Sequence, residues 1–504
     1  MKKLIWVIWG IINIQGYGQH NMDNKQVDAL TDLYFTEGVK TLKNFLSIPN
    51  RSRNEEEIER NIAWCMEWFE ALDLEVSKIY SEGVPHLLAI REVDVSKPTL
   101  LFYLQIDGQP VDVSLWDQPN PFEPVLKECH QGDCTPLDWE ILDQSIDPEW
   151  KIFARSASDS KGPAVAFMYA LKILQLQHIE PAFNVKVIMD FQEELGSPTL
   201  PKLVESYRAA FAADAMIIVD GTRPAGNMPT LTFGARGIAT ASLTAYGALK
   251  NMHSGQYGNY VPNPAFALAR LLGNMKDDDG RVLIPGFYEG VKISSGVGGL
   301  MENQGASLQE LGLAEFEKVG SNYLESLQYP SLNIRGLKAG WVGSDVRTII
   351  PSEAVVEIDM RLVKETPAER QLQLLREFIV DQGFYVTDKA PTMEERLKHP
   401  HLIRMEYRIG SLPFKTDING PLGQWLQSIM TEAFGAGNFL VMQTTGGSQP
   451  IAPFINTLGI PALALRIANP DSNIHAPNEN IRLGNFHEGI KMVLSVLSTP
   501  YKTK

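Results

Sequence analysis

The sequence predicts an α/β protein whose mainly parallel sheet is interrupted by a second, α+β unit. Two observations predict this fold class. Short, wholly apolar runs alternate with helix-length stretches near both ends of the chain, as in parallel sheets covered by helices. In the middle of the chain, apolar and polar residues alternate instead, which is typical of half-exposed antiparallel strands.

The outer parts of the chain provide the elements of the parallel sheet. Amphipathic helices are expected over 28–50 and 54–72, where apolar residues recur at helical spacing. Buried strands are expected at four apolar runs: 99–104, 184–191, 215–219 and 461–467. A helix over 162–177 separates the first two, so strand, helix and strand follow one another as in a βαβ unit.

The central segment predicts the α+β unit. Residues 230–245 and 354–363 alternate between apolar and polar side chains, and 368–382 has the spacing of an amphipathic helix. Residues 277–280 and the glycine-rich 294–299 are expected to be loops. A two-layer unit inserted into the parallel-sheet domain accounts for this change of pattern.

Composition and charge narrow the class of protein. The 504 residues exceed one ordinary domain, and the 44% hydrophobic and 21% charged fractions are those of a globular protein. The formal net charge of −15 argues against an overall positive surface that would attract nucleic acid, so no nucleic-acid partner is expected.

The first residues have the pattern of a secretory signal. Lys2 and Lys3 precede an apolar stretch over 4–14 that is too short to span a bilayer comfortably. Gly16 and Gly18 then form a small-x-small cleavage pattern, which predicts a signal peptide over 1–18. The expected location is therefore periplasmic or secreted, with a retained anchor as the alternative and no membrane contact after signal removal.

The three cysteines leave two questions open. Cys65 lies in a helix-like stretch and is expected in the core. Cys129 and Cys134 are five residues apart, and in an exported protein a disulfide and two free thiols are both open at this point. A zinc site with His130 is disfavoured because a fourth ligand is missing nearby.

Acidic residues follow several predicted strands at the point where each strand ends. In open α/β sheets, these ends line the crevice where ligands bind. His475 lies in a loop beyond the last strand. Asp159 precedes the helix over 162–177, and taken alone it would be interpreted as the N-cap of that helix. These residues are Asp107, Asp159, Glu193, Glu194, Asp220 and His475.

Each of these residues has an ordinary structural explanation when taken singly. Together they are harder to dismiss, because carboxylates focused on one crevice repel one another unless a cation binds or their pKa values rise. Carboxylate oxygens and an imidazole are also the ligands of a catalytic metal site. The pattern therefore predicts a metal centre.

Ten ordered segments resemble the zinc aminoacylase, carnosinase and glutamate-carboxypeptidase superfamily, which includes acetylornithine deacetylase and succinyl-diaminopimelate desuccinylase. The resemblance covers almost the whole mature chain. The segments are LLFYLQIDGQPVD, ARSASDSKGP, FQEELGSP, IIVDG, GARG, NMHSGQYGN, NIRG, RTIIPSEAVVEIDMRLV, TTGGSQP and NIHAPNE. The resemblance implies a zinc-exopeptidase-like catalytic domain interrupted by a lid that forms a homodimer. It places the signal at 1–18, the catalytic domain at 19–234 and 413–504, and the lid at 235–412.

The resemblance also implies roles at the metal centre. Asp159 would bridge two metals, with Glu194 and His475 completing one site and Asp220 belonging to the other. Glu193 would be the general base that takes the proton of the attacking water. Asp107 would orient the ligand two residues before it.

Further roles fall on the predicted lid and near it. His253 would reach across the dimer to the substrate carbonyl and its developing oxyanion. The substrate's carboxylate or backbone would be held by four residues, among which an arginine suits a bidentate carboxylate contact. They are Thr348, Arg361, Gly447 and Ser448.

One departure from the family pattern affects the metals. The family has His-x-Asp where this chain has Gln105, Ile106 and Asp107. Gln105 is a candidate ligand through its amide oxygen, with its NH₂ group donating to Asp107 on the same face. An all-oxygen set favours Mn²⁺, Mg²⁺ or Ca²⁺ over Zn²⁺. We therefore expect one firm Zn²⁺ site and a second site that is weak or occupied by another divalent ion such as Mn²⁺.

Smaller departures leave the substrate open. Arg155 and Ser156 stand where the family has Arg-Gly, and Thr444 and Thr445 stand where carnosinase-like members have Arg-Glu. The expected activity is metal-dependent hydrolysis of an amide bond in dipeptides, short peptides or N-acyl amino acids. The alternative is a catalytically impaired, peptide-binding relative, for which Gln105 is the argument. A module that binds calcium only for stability would not explain His253 or His475.

Overall fold

The structure, a computed structural model, describes residues 22–130, 132–294 and 307–502. The predicted signal peptide over 1–18 lies outside the described residues, as does the predicted loop after residue 294. Among the described residues, no helix is long and apolar enough to cross a membrane.

Among the described residues the strands form five sheets, and helices pack on the two largest of them. The strands are β1 (Glu75–Ser81), β2 (Val84–Arg91), β3 (Thr99–Gln105), β4 (Val125–His130), β5 (Asp133–Pro136), β6 (Lys151–Phe153), β7 (Asn184–Asp190), β8 (Ala215–Val219), β9 (Thr230–Thr232), β10 (Gly234–Ala235), β11 (Gly237–Tyr246), β12 (Met252–His253), β13 (Ser331–Lys338), β14 (Ile349–Ile350), β15 (Glu353–Leu362), β16 (Tyr385–Thr387), β17 (Leu402–Ile409), β18 (Phe414–Lys415), β19 (Leu440–Met442), β20 (Ala462–Arg466) and β21 (Asn480–Arg482).

The helices are α1 (Asn24–Leu46), α2 (Glu55–Ala71), α3 (Lys161–Leu176), α4 (Leu200–Ser206), α5 (Ser254–Tyr257), α6 (Pro264–Gly273), α7 (Leu308–Leu311), α8 (Tyr323–Ser326), α9 (Ala368–Asp381), α10 (Met393–Lys398), α11 (Pro421–Phe434), α12 (Ala452–Leu458) and α13 (Leu483–Ser498). The first begins at a capping box, in which Asp23 and Gln26 each accept a backbone N–H of the other.

An eight-stranded sheet is the centre of the outer unit, with the order β1-β2-β7-β3-β8-β20-β9-β19. The pairs β7–β3, β3–β8, β8–β20 and β9–β19 are parallel, whereas β1–β2, β2–β7 and β20–β9 are antiparallel. The α/β class predicted from the sequence is thus confirmed, with a sheet that is parallel at its centre.

Strand β3 shows why an unbroken apolar run forms a central strand. Leu100, Phe102 and Leu104 point into a core with α3 and α13. Leu101 and Tyr103 point into a second core on the other face, with α4 and α12. Because helices cover both faces, every position of the strand after Thr99 is buried and the sequence shows no alternation.

The central segment forms a different sheet with its own core. Its five strands have the order β13-β15-β11-β17-β16, and α6 and α9 pack on its apolar face. The run 354–363 was predicted as an alternating strand, and β15 has alternating burial along its whole length. The observed sheet lies within the predicted lid, but the boundaries at 234/235 and 412/413 stay predictions.

One predicted strand is divided in the structure. The run 230–245 forms β9, β10 and β11, which belong to three different sheets. Backbone hydrogen bonds explain the division, because Phe233 bonds to Met442 and Thr416 whereas Ile238 bonds to Ser411. The alternation of side chains continues across these breaks, so it could not reveal them.

A four-stranded sheet in the order β21-β6-β4-β5 carries the cysteine pair. Cys129 and Cys134 are directly opposite each other on β4 and β5 and form a disulfide. The pair therefore cannot supply thiolates to a zinc site with His130. Cys65 is a buried free cysteine, as predicted.

Candidate active site

The ends of neighbouring parallel strands bring the predicted carboxylates together. Strand β3 ends at Gln105, which is paired with Asp190 at the end of β7. The next strand in the sheet, β8, ends one residue before Asp220. Asp107 and Glu193 follow β3 and β7 by a few residues, so all of these groups lie at one edge of the sheet.

Three predicted ligands form a tight cluster. The Nε2 atom of His475 lies 2.9 Å from Oδ2 of Asp159 and 3.2 Å from Oε2 of Glu194. The three ligand atoms all lie within 4.8 Å of one another, as a bound metal ion requires. One imidazole nitrogen and two carboxylate oxygens are a suitable donor set for zinc, so these residues fit the metal that the sequence implies.

The charges of this cluster stabilise one another. Hydrogen bonds from His475 to Asp159 and Glu194 raise the pKa of the imidazole to about 11. Burial alone would raise the pKa of Asp159, but the bond with His475 lowers it below the usual value. The amide of Gln109 adds a 2.7 Å hydrogen bond to Oε2 of Glu194.

Asp107 holds the turn that carries the two glutamates. Its Oδ1 accepts the backbone N–H of Glu193 at 3.0 Å, and its Oδ2 accepts that of Glu194 at 3.1 Å. Asp190 supports the same turn by accepting the N–H of Gln192 at 2.9 Å. Burial raises the pKa of Asp107 well above its usual range, and the charges of Asp190 and Glu194 raise it further.

Glu193 lies beside the cluster without belonging to the group of three ligands. Burial raises the pKa of its carboxyl well above the usual range, and the charges of Asp159, Asp220 and Glu194 raise it further. This arrangement favours a proton acceptor, because a raised pKa strengthens a carboxylate as a base.

Gln105 has a different partner from the predicted one. Its Nε2 donates to Oδ1 of Asp159 at 2.9 Å, whereas the sequence suggested donation to Asp107. Asp107 instead accepts the backbone N–H groups of Glu193 and Glu194. Asp220 contacts the hydroxyl of Ser160 and accepts from the amide of Gln449 at 3.3 Å.

Besides Asp159, Asp220 is the other carboxylate that contacts Ser160. Burial raises its pKa to about 6, and the charge of Asp159 contributes in the same direction. The buried guanidinium of Arg466 acts in the opposite direction.

Glu479 fixes the loop that carries Asp159. Its fully buried carboxylate accepts the backbone N–H groups of Ser156, Ser158 and Asp159 at 2.9–3.0 Å. It also forms a 2.7 Å ion pair with Arg155. Burial raises the pKa of Glu479 to about 7, although the charge of Arg155 lowers it.

The predicted substrate-binding residues fall into two places. Nη1 of Arg361 donates to Oγ of Ser448 at 3.1 Å, and Gly447 is exposed beside them. His253 and Thr348 are exposed neighbours on the central unit, where Ser254 bonds to the Thr348 carbonyl. The ring of His253 accepts the N–H of Gly255, and among the described residues it has no hydrogen bond to the carboxylate cluster.

Sequence reasoning missed several residues of the site. Glu479 lies four residues after His475 in the segment NIHAPNE, and its partner Arg155 lies in the segment ARSASDSKGP, but neither was assigned a role from the sequence. Gln109, Ser160, Gln449 and Arg466 gave no distinct signal, because polar residues at such positions are common. Their roles depend on contacts between distant segments.

The parallel-centred sheet, the strand-end carboxylates and the Asp159–Glu194–His475 cluster define a metallopeptidase-type hydrolase. The comparison with protein families gives the particular family. Residues 133–499, more than two thirds of the chain, match peptidase family M20/M25/M40, and the chain belongs to this family.

Two dipeptidases are similar to this chain in sequence, and one solved carboxypeptidase structure is similar to it in both sequence and fold. The chain is 25% identical to the Beta-Ala-His dipeptidase of Rattus norvegicus over 488 residues, covering 92% of each protein. It is 26% identical to the Cys-Gly metallodipeptidase dug1 of Schizosaccharomyces pombe over 418 residues, covering 79% of each. The crystal structure of the metallo-carboxypeptidase Sso-CP2 from Sulfolobus solfataricus superimposes with a TM-score of 0.72 and 27% identity, covering 92% of this chain and 98% of that one.

Proposed function

We propose that this metallopeptidase hydrolyses an amide bond in dipeptides, short peptides or N-acyl amino acids. The observation that carries the proposal is the Asp159–Glu194–His475 cluster with Glu193 beside it. The names of the relatives, Beta-Ala-His dipeptidase and Cys-Gly metallodipeptidase, favour dipeptides among these substrates.

Asp159, Glu194 and His475 would hold one Zn²⁺ ion. Zinc in such a site supplies a Lewis acid and lowers the pKa of a water to about 7. Asp159, Asp220 and Gln105 would form the second position, which is weak or takes another divalent ion such as Mn²⁺. An amide is a neutral and weak donor compared with the imidazole that the family pattern has there.

The chain's own residues would move the proton and hold the substrate. Glu193 would accept a proton from the attacking water and pass it to the nitrogen of the leaving amine. Asp107 would keep Glu193 in place through the backbone bond at 3.0 Å. Arg361, with Ser448, Gly447 and Thr348, would bind the substrate's carboxylate or backbone.

The remaining proposals concern assembly and location. His253 is exposed and, among the described residues, has no hydrogen bond to the cluster, so its proposed contact with the substrate is assigned to a second subunit. We propose a homodimer for this reason. Export to the periplasm or the exterior is supported by the Cys129–Cys134 disulfide, since such bonds persist in oxidising compartments.

The replacement Glu193→Gln tests the function. Removing the base should lower kcat by about 10²–10⁴-fold while the zinc content stays the same. Glu205→Gln, the same change at an exposed position of α4, is the matched control and should leave kcat unchanged. The assay is a panel of dipeptides and N-acyl amino acids with Zn²⁺, Mn²⁺ or Co²⁺ supplied.

The alternative function predicts a different result. Gln105 would make the chain an inactive, peptide-binding relative, and then wild type and Glu193→Gln would be equally inactive across the whole panel. Peptide binding that survives in both proteins would support this alternative.

A further inference from the structure

One buried carboxylate joins the two ends of the turn that carries Glu193. This turn covers residues 191–197, and Asp190 directly precedes it at the end of β7. Oδ1 of Asp190 accepts the backbone N–H of Gln192 at 2.9 Å, and Oδ2 accepts the hydroxyl of Ser197 at 2.5 Å. Asp190 is fully buried, and Ser197 is 3% exposed. A single side chain in the interior therefore holds the start and the end of the turn.

The hydroxyl of Tyr103 fixes this carboxylate from the neighbouring strand. It donates to Oδ2 of Asp190 at 2.9 Å, from a side chain on β3 that is 1% exposed. Burial raises the pKa of Tyr103 well above its usual range, and the charge of Asp190 raises it further, so the hydroxyl stays a donor. Beside the other oxygen, Nε2 of the buried His86 lies 3.6 Å from Oδ1. Rotation of the carboxylate would break its bonds with both Tyr103 and Ser197.

The end of the turn has a strained backbone. Ser197 has a φ of +44° and follows Gly196, whose φ is +80°, so two consecutive residues are left-handed. For a residue other than glycine, this conformation is unfavourable and persists where its surroundings hold it. Two contacts hold Ser197, which are its hydroxyl on Asp190 and its backbone N–H on the Gln192 carbonyl at 3.0 Å. The bond to Asp190 therefore helps to keep the turn closed.

Glu193 depends on this turn for its orientation. Among the described residues, the hydrogen bonds of Glu193 involve its backbone and not its carboxylate. Its N–H donates to Asp107 at 3.0 Å, and its carbonyl accepts from Gly196 at 2.7 Å. The backbone of the turn therefore sets the position of the carboxylate. Asp107 holds this backbone in the middle of the turn, and Asp190 holds it near both ends.

We propose that Tyr103, Asp190 and Ser197 are positioning residues, which hold Glu193 where it can accept the proton of the attacking water. This inference rests on the proposed function, in which Glu193 is the base. It deepens that function, because none of the three has a hydrogen bond to a ligand of the proposed zinc site among the described residues. Since they act through the turn, their loss should lower kcat and leave KM nearly unchanged.

Tyr103→Phe and Ser197→Ala each remove one hydroxyl and test the proposal in the zinc-loaded protein. We expect kcat to fall by about 10–100-fold in each, with KM and zinc content within about twofold of wild type. Ser498→Ala is the matched control, because its hydroxyl is also buried and donates to the Leu494 carbonyl at 2.7 Å in α13. It should lower the denaturant midpoint about as much as Ser197→Ala does, and leave kcat unchanged.

The same replacements in a Glu193→Gln background separate positioning from a general structural effect. Once the base is absent, its positioning residues have nothing to act through, so Tyr103→Phe should leave the residual kcat unchanged. A further fall as large as that in wild type would overturn the proposal, as would wild-type kcat in both single variants or an equal fall in Ser498→Ala. If Tyr103→Phe does not fold, Ser197→Ala decides alone. A wild type that is inactive on the whole substrate panel would instead refute the proposed function, and this inference with it.

Discussion

The carboxylate of Glu479 offers the sharpest test of how the site is held. It is buried and accepts four hydrogen bonds, of which two go to each oxygen. Glu479→Gln keeps the shape but replaces one oxygen by an NH₂ group, which cannot accept. Two of the four donors then face another donor, and Arg155 loses its 2.7 Å ion pair.

The expected magnitude follows from these contacts. Removing one partner of a buried ion pair costs about 3–5 kcal/mol, because the other charge is left uncompensated. We therefore expect the free energy of unfolding to fall by about 3–5 kcal/mol, a large part of a typical total of about 5–15 kcal/mol. The amide oxygen should stay with the charged Arg155, so that the NH₂ group replaces Oε1 and the backbone N–H of Asp159 loses its acceptor. The zinc affinity should therefore also fall, by about 10–100-fold.

The assay combines denaturant unfolding with zinc competition against a chromophoric chelator. It is run at about pH 8, where a carboxyl with a pKa of about 7 is ionised. Glu82→Gln, in an exposed pair with Lys202, is the control and should change neither quantity. The variant Arg155→Met and the double variant complete a cycle, in which removal of both charges should cost less than the sum of the single changes. Wild-type stability and zinc affinity in Glu479→Gln would refute the reasoning.

Three further predictions concern the loop at Ser156, the Cys129–Cys134 disulfide and the release of a proton from His475 when zinc binds. Ser156 has a φ of +64° and accepts from Asn50 at 2.9 Å, so Ser156→Ala should cost about 1 kcal/mol in denaturant unfolding. Ser156→Gly should cost close to nothing, since relief of the backbone strain of about 1 kcal/mol offsets the lost bond, and equal stability of both variants would contradict this. Reduction of Cys129–Cys134 should lower the unfolding free energy by at most about 2 kcal/mol and leave the bound zinc in place, because the bridge closes a short loop; zinc release on reduction would contradict this. Without metal, His475 has a pKa raised to about 11, so the stability from its protonation is present below pH 6.5 and lost as the pH rises through 11. Zinc requires the neutral ring, so calorimetry in buffers of different ionisation enthalpy should detect release of about one proton at about pH 8, and none from this source in His475→Gln.

Four strands of the sheet that positions the site, β3, β7, β8 and β20, could be predicted from the sequence to within one or two residues, whereas β1, β2 and β19 have no counterpart among the predicted strands. The run 99–104 became β3 and 215–219 became β8, because strands covered on both faces must be apolar throughout. Once these strands are parallel neighbours, the carboxylates after them must meet at one edge. Asp159 itself lies between β6 and α3 and not after a strand of this sheet, so its place in the cluster is implied by the family resemblance and not by the strand pattern.

Other features could not be read from local patterns. The break of the run 230–245 into three strands depends on partners near residues 411–416 and 442. The partnership of Arg155 with Glu479 joins positions 324 residues apart, and that of Asp220 with Gln449 joins positions 229 apart. A single sequence contains no sign of which distant polar groups will meet, so Arg155, Glu479 and Gln449 gained a role only in the structure.

The position of Asp159 explains how the proposed first metal site could persist beside Gln105. Its backbone N–H is held by Glu479, its Oδ1 by Gln105 and its Oδ2 by His475. None of these contacts needs an ion between Asp159 and Asp220. Where two cations share a bridging carboxylate, the loss of one cation would leave that carboxylate free to change its orientation. Here the protein supplies that restraint through hydrogen bonds, and the carboxylate stays directed towards Glu194 and His475.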